Sequence, residues 1–419
     1  MSCKIKNEPK LKSLISLEFT VSGNLSGLGS NSITLSLNST EQLVLTTNGN
    51  FTFMTKLALS NSYSVAIQSL PSDRYCVIQN GTGTIQTNVA DVNIVCQVGT
   101  ASGPLVGGTI FNPIPYTIPA DVTVTTIPSA VALTGVNGIT TDGANIYLAV
   151  YDNHTIAKLV ISTGAFTIIA GSGSPGSSDG FGTSATFYGP GGLVYFDNML
   201  YIADSLNGMI RKLDISTGEV VAIASGLANP YGITTDGTFL YFNQNFKVNS
   251  LKLADNSISL ILGAINGYAD GSAASGRLGL ATGAIAFDGT YLYLNDRANC
   301  SIRKIDITGR TITTIIGSPP PTVSCSTLDG IGTAARVQSM DGIVSDGTNL
   351  FFTESDVSSR IRKITLSTLT VTTIVGNAGV GDLDGSGVTA KISGPAHITS
   401  DGTNLYFADY VNSKVKKIH

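Results

Sequence analysis

The sequence predicts an all-β protein, and three observations carry that prediction. Glycine is abundant, 47 of 419 residues, while charged residues make up only 12%, a composition suited to short strands and turns rather than helices. Residues 14–98 alternate apolar and polar side chains between Asn- and Gly-rich turns, the pattern of half-buried strands. From Val136 onward a unit of about fifty residues recurs six times, which is the mark of a repeat architecture.

Bulk properties exclude several function classes. The formal net charge is −4 and no basic tract is present, so nucleic acid is not an expected partner. No run of 18 apolar residues could form a transmembrane helix, and "MSCKIKNEPK" lacks the apolar core of a signal peptide. Five cysteines are present: Cys3, Cys76, Cys96, Cys300 and Cys325. Pairing of the last four leaves Cys3 as a candidate lipid-attachment residue of an exported lipoprotein, with a free thiol in an N-terminal tail as the alternative.

Residues 1–13 read as a disordered tail and 14–98 as a small β-sandwich with strands such as "SITLSLN", "SYSVAIQSL" and "VNIVC". Cys76 and Cys96 fall in its last two strands. A disulfide there is expected to add roughly 3 kcal/mol and implies an oxidising compartment. Residues 99–120, with Pro104, Pro113, Pro115 and Pro119, form a Gly/Pro-rich linker. The remainder, 121–419, is the repeat region.

Each repeat reads as four strands. A first strand ("GITT") ends in a tight turn at Asp142, Asp197, Asp236, Asp288, Asp346 or Asp401. A second, apolar strand ("LYIAD", "LYFAD") follows, then one alternating with Arg or Lys ("IRKIDI"), then an outer Thr/Val/Ile strand ("TITTIIG"). Units of this size with four strands are propeller blades. The sixth unit stops at His419 without its outer strand, whereas "DVTVTTI" (Asp121–Ile127) matches the outer strands "RTITTIIG" and "LTVTTIVG". The expected fold is a six-bladed β-propeller in which Asp121–Ile127 completes the last blade and covers its edge.

Two resemblances follow from these residues. "GPGGLVYFDNMLYIADSLNGMIRKLD" and the connections "SDGFGTSATFYGPGG", "ADGSAASGRLGLATG", "LDGIGTAARVQSMDG" and "LDGSGVTAKISGPAH" resemble the NHL-repeat family, nearest to bacterial relatives of the teneurin-like NHL class. "TTNGNFTF", "YCVIQNGTGT" and "VNIVC" resemble the immunoglobulin-like or carboxypeptidase-regulatory-like modules of bacterial surface proteins. The first resemblance implies a fold that hosts lyases, lactonases, sensors and adhesive ectodomains, so function has to be read from a site.

Strand alternation puts the Asp-turns on one face, and the connections and second-strand ends on the other, here called the top. Cys300 and Cys325 both fall on the top and are expected to pair. Repeated acids also gather there: Asp179, Asp270, Asp329 and Asp384 in the connections, and Asp204, Asp296 and Asp409 at second-strand ends. They are either a ligand site or turn-building scaffold, and recurrence in blade after blade favours scaffold. "DLDGSG" (Asp382, Asp384, Ser386) matches the first half of a Ca²⁺ loop, but its twelfth position is Ser393 rather than Glu.

Exposed aromatic and Arg side chains in loops serve recognition. Phe181, Phe187, Tyr188, Tyr268, Arg277, Arg297, Arg336 and Tyr410 are the candidate top-face ligand contacts. The six first strands start at Asn137-Gly138, Gly191-Gly192, Tyr231-Gly232, Thr282-Gly283, Asp341-Gly342 and Ala396-His397, which makes Asn137, Asp341 and His397 the polar hub candidates. The expected function is an exported surface, periplasmic or extracellular binding or scaffold protein that recognises a protein, peptide or glycan without catalysis or cofactor. The alternative is a metal-assisted lyase or lactonase-type hydrolase centred on the hub.

Overall fold

The computed structural model describes residues 18–98 and 122–419, apart from 27, 29–31, 39, 70–73, 80–81, 130–131, 264, 281–282, 319–324, 356–358, 377–378 and 388. For strand residues 66, 68–69, 74–79, 82–83, 91, 93 and 95–98 it describes the backbone alone. The expected tail (1–13) and linker (99–120), Cys3, Asp121 and Thr282 lie outside those residues, as do the side chains of Cys76 and Cys96. The chain divides into two compact units, an N-terminal one and a larger C-terminal one. No helix among the described residues is long and apolar enough to cross a membrane.

The N-terminal unit contains two four-stranded sheets. One orders Gly49–Thr52, Val21–Ser26, Val89–Val98 and Arg74–Gln79; the other orders Glu41–Leu45, Ile33–Leu37, Ser62–Ser69 and Thr82–Thr84. Alternation decides the faces: Val21 and Leu25 from the first sheet, and Ile33, Leu35 and Val65 from the second, are buried in one core with Phe51, Phe53 and Ile94. Val89–Val98 runs parallel to Val21–Ser26 and antiparallel to Arg74–Gln79, setting Cys96 opposite Cys76 in the ladder.

The C-terminal unit contains six antiparallel sheets among the described residues. In each of the first five, consecutive strands are neighbours, as in Val136–Thr141, Asn145–Val150, Thr155–Val160 and Phe166–Ala170 of the first sheet. The tight turn between first and second strands has a recurring cause. Asp142 Oδ1 accepts the Ala144 and Asn145 amides, and its Oδ2 accepts the Tyr147 hydroxyl at 2.8 Å; Asp236 with Tyr241, Asp288 with Tyr293 and Asp401 with Tyr406 repeat the arrangement. Burial, reinforced by the Asp142 carboxylate, pushes the Tyr147 phenol far above its ordinary value, so it stays a donor at any working pH.

First strands lie side by side where the six sheets meet. The approach is close enough to exclude a side chain: a Cβ at Gly138 would stand 2.1 Å from the Gly191 carbonyl oxygen, and one at Gly342 2.7 Å from the Cα of His397. Gly192, Gly232 and Gly283 face their neighbours in the same way. The last first strand, Pro395–Ser400, packs on that of the first sheet, with Ala396 in one core with Val136 and Ile139.

The sixth sheet joins the two ends of the region. Thr123–Thr126 pairs antiparallel with Lys414–Ile418 in the register Val124 to Ile418 and Thr126 to Lys416. Ile127 N donates to Val415 O at 3.0 Å, and Thr123 and His419 exchange both backbone bonds. Val124 is fully buried, so the segment is held by packing as well as by the ladder.

Candidate functional site

The top face is built on a buried cation in four of the six sheets. Arg211, on the third strand of the second sheet, is fully buried. Its Nη1 donates to Asp204 Oδ2 at 3.1 Å and Thr186 O at 3.0 Å, and its Nη2 to Asp179 Oδ1 at 2.8 Å and Ser178 O at 3.0 Å. The guanidinium thereby ties the second strand to the connection that crosses above it, and Asp179 goes on to accept the amide of Ala222 on the outer strand. Arg303 binds Asp296 and Asp270 in the same way, and Arg362 binds Glu354 and Asp329. In the sixth sheet Lys416 reaches Asp382, Asp384 and Asp409.

The same connections each supply a short fifth strand, Gly180–Phe181, Gly271–Ser272, Gly330–Ile331 and Gly385–Ser386, alongside the outer strand. The first and third sheets have Ala157 and Asn249 where the others have the cation, and they have four strands. The repeated acids thus fasten loops, as a scaffold does. Asp382 and Asp384 are engaged by Lys414 and Lys416, and Lys414, then Lys416, holds the Asp382 carboxyl below its ordinary range.

The expected ligand contacts separate into distinct settings. Phe187 is corrected: it is fully buried in the core shared by the first two sheets, under the Arg211 guanidinium at 5.2 Å. Tyr268 is also held inward, with Arg303 over its ring at 4.7 Å and its hydroxyl bonded to Thr314. Arg336 folds its Nη1 onto the carbonyls of Thr333, Ala334 and Ala335. Arg277 is exposed, and Phe181 is 61% exposed on a short edge strand.

Tyr188 and Tyr410 belong to a polar aromatic group that spans sheets. Tyr188 is 41% exposed and meets His154 edge-on at 5.3 Å; His154 Nδ1 accepts the Gly189 amide at 3.1 Å. Tyr410 donates its hydroxyl to Asp152 at 3.0 Å. Tyr151 lies between them, where a Cβ on Gly189 would touch its ring at 3.0 Å; burial first, then Asp152, raises its phenol above the ordinary value. Beside Asp152 opens a shallow cleft of about 310 Å³ lined by Asn153, Thr155, Ile168, Ser172 and Thr183.

The hub candidates do come together. His397 is the exception to the glycines where the first strands meet, and it is buried. Its ring stands edge-on to Tyr231 at 5.3 Å, and the Tyr231 hydroxyl donates to Asn137 Oδ1 at 2.9 Å. Asp341 is ion-paired to Arg297. Burial pushes the His397 imidazole down to about 4, with Asp341 opposing and Arg297 adding to the shift. It is therefore neutral at physiological pH. No three His, Cys, Asp or Glu side chains among the described residues gather in a metal-holding group.

Cys300, in the turn after Arg297, is joined to Cys325 by a disulfide with Cα atoms 5.3 Å apart. Sequence reasoning missed Tyr231, Tyr151, Asp152 and His154. Only Tyr231 carried a signal, as one of the side chains preceding the recurring first-strand residue.

No family model matches the chain. Human NHL repeat-containing protein 2 is 26% identical over 293 residues, which cover 67% of this chain and 38% of that protein's length; the chain thus spans under half of this curated relative. Among solved structures, a protein of unknown function from Bacteroides thetaiotaomicron aligns with a TM-score of 0.57 at 13% identity, covering 92% of this chain and 90% of that one. The fold is propeller-like. An auxiliary nutrient binding protein from Bacteroides thetaiotaomicron has a TM-score of 0.56 at 15% identity, covering 95% of this chain and 97% of that one. The chain is therefore similar to NHL-repeat proteins, on an all-β propeller-like framework.

Proposed function

We propose that the C-terminal unit is a six-bladed propeller closed by the Thr123–Thr126 strand, carried by an exported protein behind a small N-terminal β module of 14–98. Its role is non-catalytic recognition of a glycan, peptide or protein on the top face. The observation that carries this reading is asymmetry. Scaffold features recur from sheet to sheet, whereas Tyr151, Asp152, His154, Tyr188, Tyr231, Tyr410 and the Asp341–Arg297 pair occur once each and gather around the first-strand starts. Half-exposed tyrosines offer large, rigid contact area with a polar tip.

Two further points support it. The Cys300–Cys325 disulfide favours an oxidising, exported setting, and the fold is shared with a protein described as nutrient binding. Glycan, peptide and protein arrays probed with the full chain test the reading. At least one bound class is expected, with Tyr188→Ala and Tyr410→Ala reducing its signal; arrays without a bound glycan, peptide or protein, or binding indifferent to both substitutions, would overturn it.

A further inference from the structure

The strongest unexplained feature of the molecule is His397. At this level the other first strands carry Gly138, Gly192, Gly232, Gly283 and Gly342, each too close to its neighbour for a side chain. A plug for the remaining space needs only an apolar residue of similar volume. Instead the sixth strand carries an imidazole whose Nε2 is buried and has no hydrogen-bond partner among the described residues. A buried polar atom left unmatched destabilises the fold, and such atoms call for an explanation in function or in a bound group.

What surrounds it defines the chemistry on offer. Tyr231 presents the edge-on ring beside His397 and fixes the Asn137 carboxamide by donating to its oxygen at 2.9 Å, which leaves the Asn137 NH₂ as a donor. Asp341 and Arg297 are mutually paired, with 15% and 35% of their side chains exposed. Their charges cancel, the imidazole is neutral and the Tyr231 phenol is raised by burial, so the cluster carries donors and acceptors but no net charge. A charged ligand would have to break the ion pair or be desolvated without compensation. A group that both donates and accepts, and that has an apolar edge to lie on an aromatic ring, meets every member of the set.

We propose that His397, Tyr231 and Asn137, with the Asp341–Arg297 pair, form a subsite for one neutral, hydroxyl-rich ring, a single sugar residue of the recognised chain. Hydroxyls of the ring bridge Asn137 and the Asp341–Arg297 pair, and one reaches His397 Nε2 as the groups that cover it yield. This deepens the top-face reading and rests on it, because Asn137, Tyr231, Arg297 and Asp341 are all part-exposed at or beside the first-strand starts.

The test follows the His397 imidazole by NMR in the full chain, with its signal assigned through His397→Asn and those of His154 and His419 as references. The probes are D-glucose, D-galactose, D-mannose and N-acetyl-D-glucosamine, with acetate and methylammonium as charged controls, each up to about 100 mM, well above the millimolar Kd of a weakly held ring. At least one sugar is expected to shift the His397 signal saturably, and Tyr231→Phe or Asn137→Ala to weaken that binding about three- to tenfold. A His397 signal unmoved by every sugar overturns the proposal, as does saturation by acetate or methylammonium. If an array ligand binds with unchanged affinity to Tyr231→Phe and Asn137→Ala, the hub subsite fails while top-face recognition stands; if arrays and sugars both give nothing, the underlying reading fails as well.

Discussion

Replacing Arg303 by Met keeps most of the stem volume and removes the guanidinium, so it isolates the buried brace of the fourth sheet. Four hydrogen bonds are lost: to Asp296 Oδ2 at 2.7 Å, Arg277 O at 3.1 Å, Asp270 Oδ1 at 2.8 Å and Ala269 O at 2.9 Å. Asp296 is fully buried and would keep only the Asn299 side chain and the Gly279 amide. Burial already pushes its carboxyl upward, against the pull of Arg303. Removing one partner of such a pair costs about 3–5 kcal/mol. Asp270 is 46% exposed and retains Thr314, so Asp270→Asn is expected to cost about 1 kcal/mol. Urea unfolding of the C-terminal unit measures both, and hydrogen exchange shows whether protection is lost first at Ala269–Arg277. A cost for Arg303→Met no larger than that for Asp270→Asn, with exchange in that connection unchanged, would refute the brace.

Three other outcomes follow from the same contacts. His397 has an ordinary value near 6.5 when unfolded and about 4 when buried, so the unfolded chain takes up a proton that the folded one refuses as pH falls through that window. Stability should drop by about 3 kcal/mol between pH 6.5 and 4, and the difference between wild type and His397→Asn, measured by urea unfolding across pH, should show that slope. Val124→Ala, in the strand paired to the chain's last residues, should cost about 2 kcal/mol and raise exchange at Val415 and Ile418. Replacing Cys300 and Cys325 together by Ser should lower the melting free energy by about 3 kcal/mol, read by calorimetry with and without reductant.

The repeat made much of the fold legible. Outer-strand similarity placed "DVTVTTI" against the sixth unit, because a strand missing at one end and spare at the other must meet if the edge is to be covered. The scaffold role of the repeated acids was legible in the same way: an Asp-Gly connection occurs ahead of each unit with Arg or Lys on its third strand, and not ahead of those with Ala157 or Asn249. The same logic places Phe187 in the core. Its counterparts in the other connections are Leu278, Val337 and Ile392, all fully buried, so its aromatic character was a poor guide to exposure.

The site was less legible, because it is the part of the top face that does not repeat. Tyr151, Asp152 and His154 sit in the hairpin after the second strand of the first sheet, with no periodic counterpart to mark them. Tyr410 and Asp152 are neighbours only because the last sheet packs beside the first. Arg297 was expected to contact ligand and Asp341 to line the hub; their mutual pairing depends on two adjacent sheets and has no sequence signature.

Hydrogen-exchange footprinting of the full chain with an array-identified ligand tests top-face recognition most directly. Added protection is expected around Tyr151–His154, Tyr188, Tyr231, Arg297, Asp341 and Tyr410. Protection confined to the opposite-face turns at Asp142, Asp236, Asp288 and Asp401, or to residues 18–98, would contradict it.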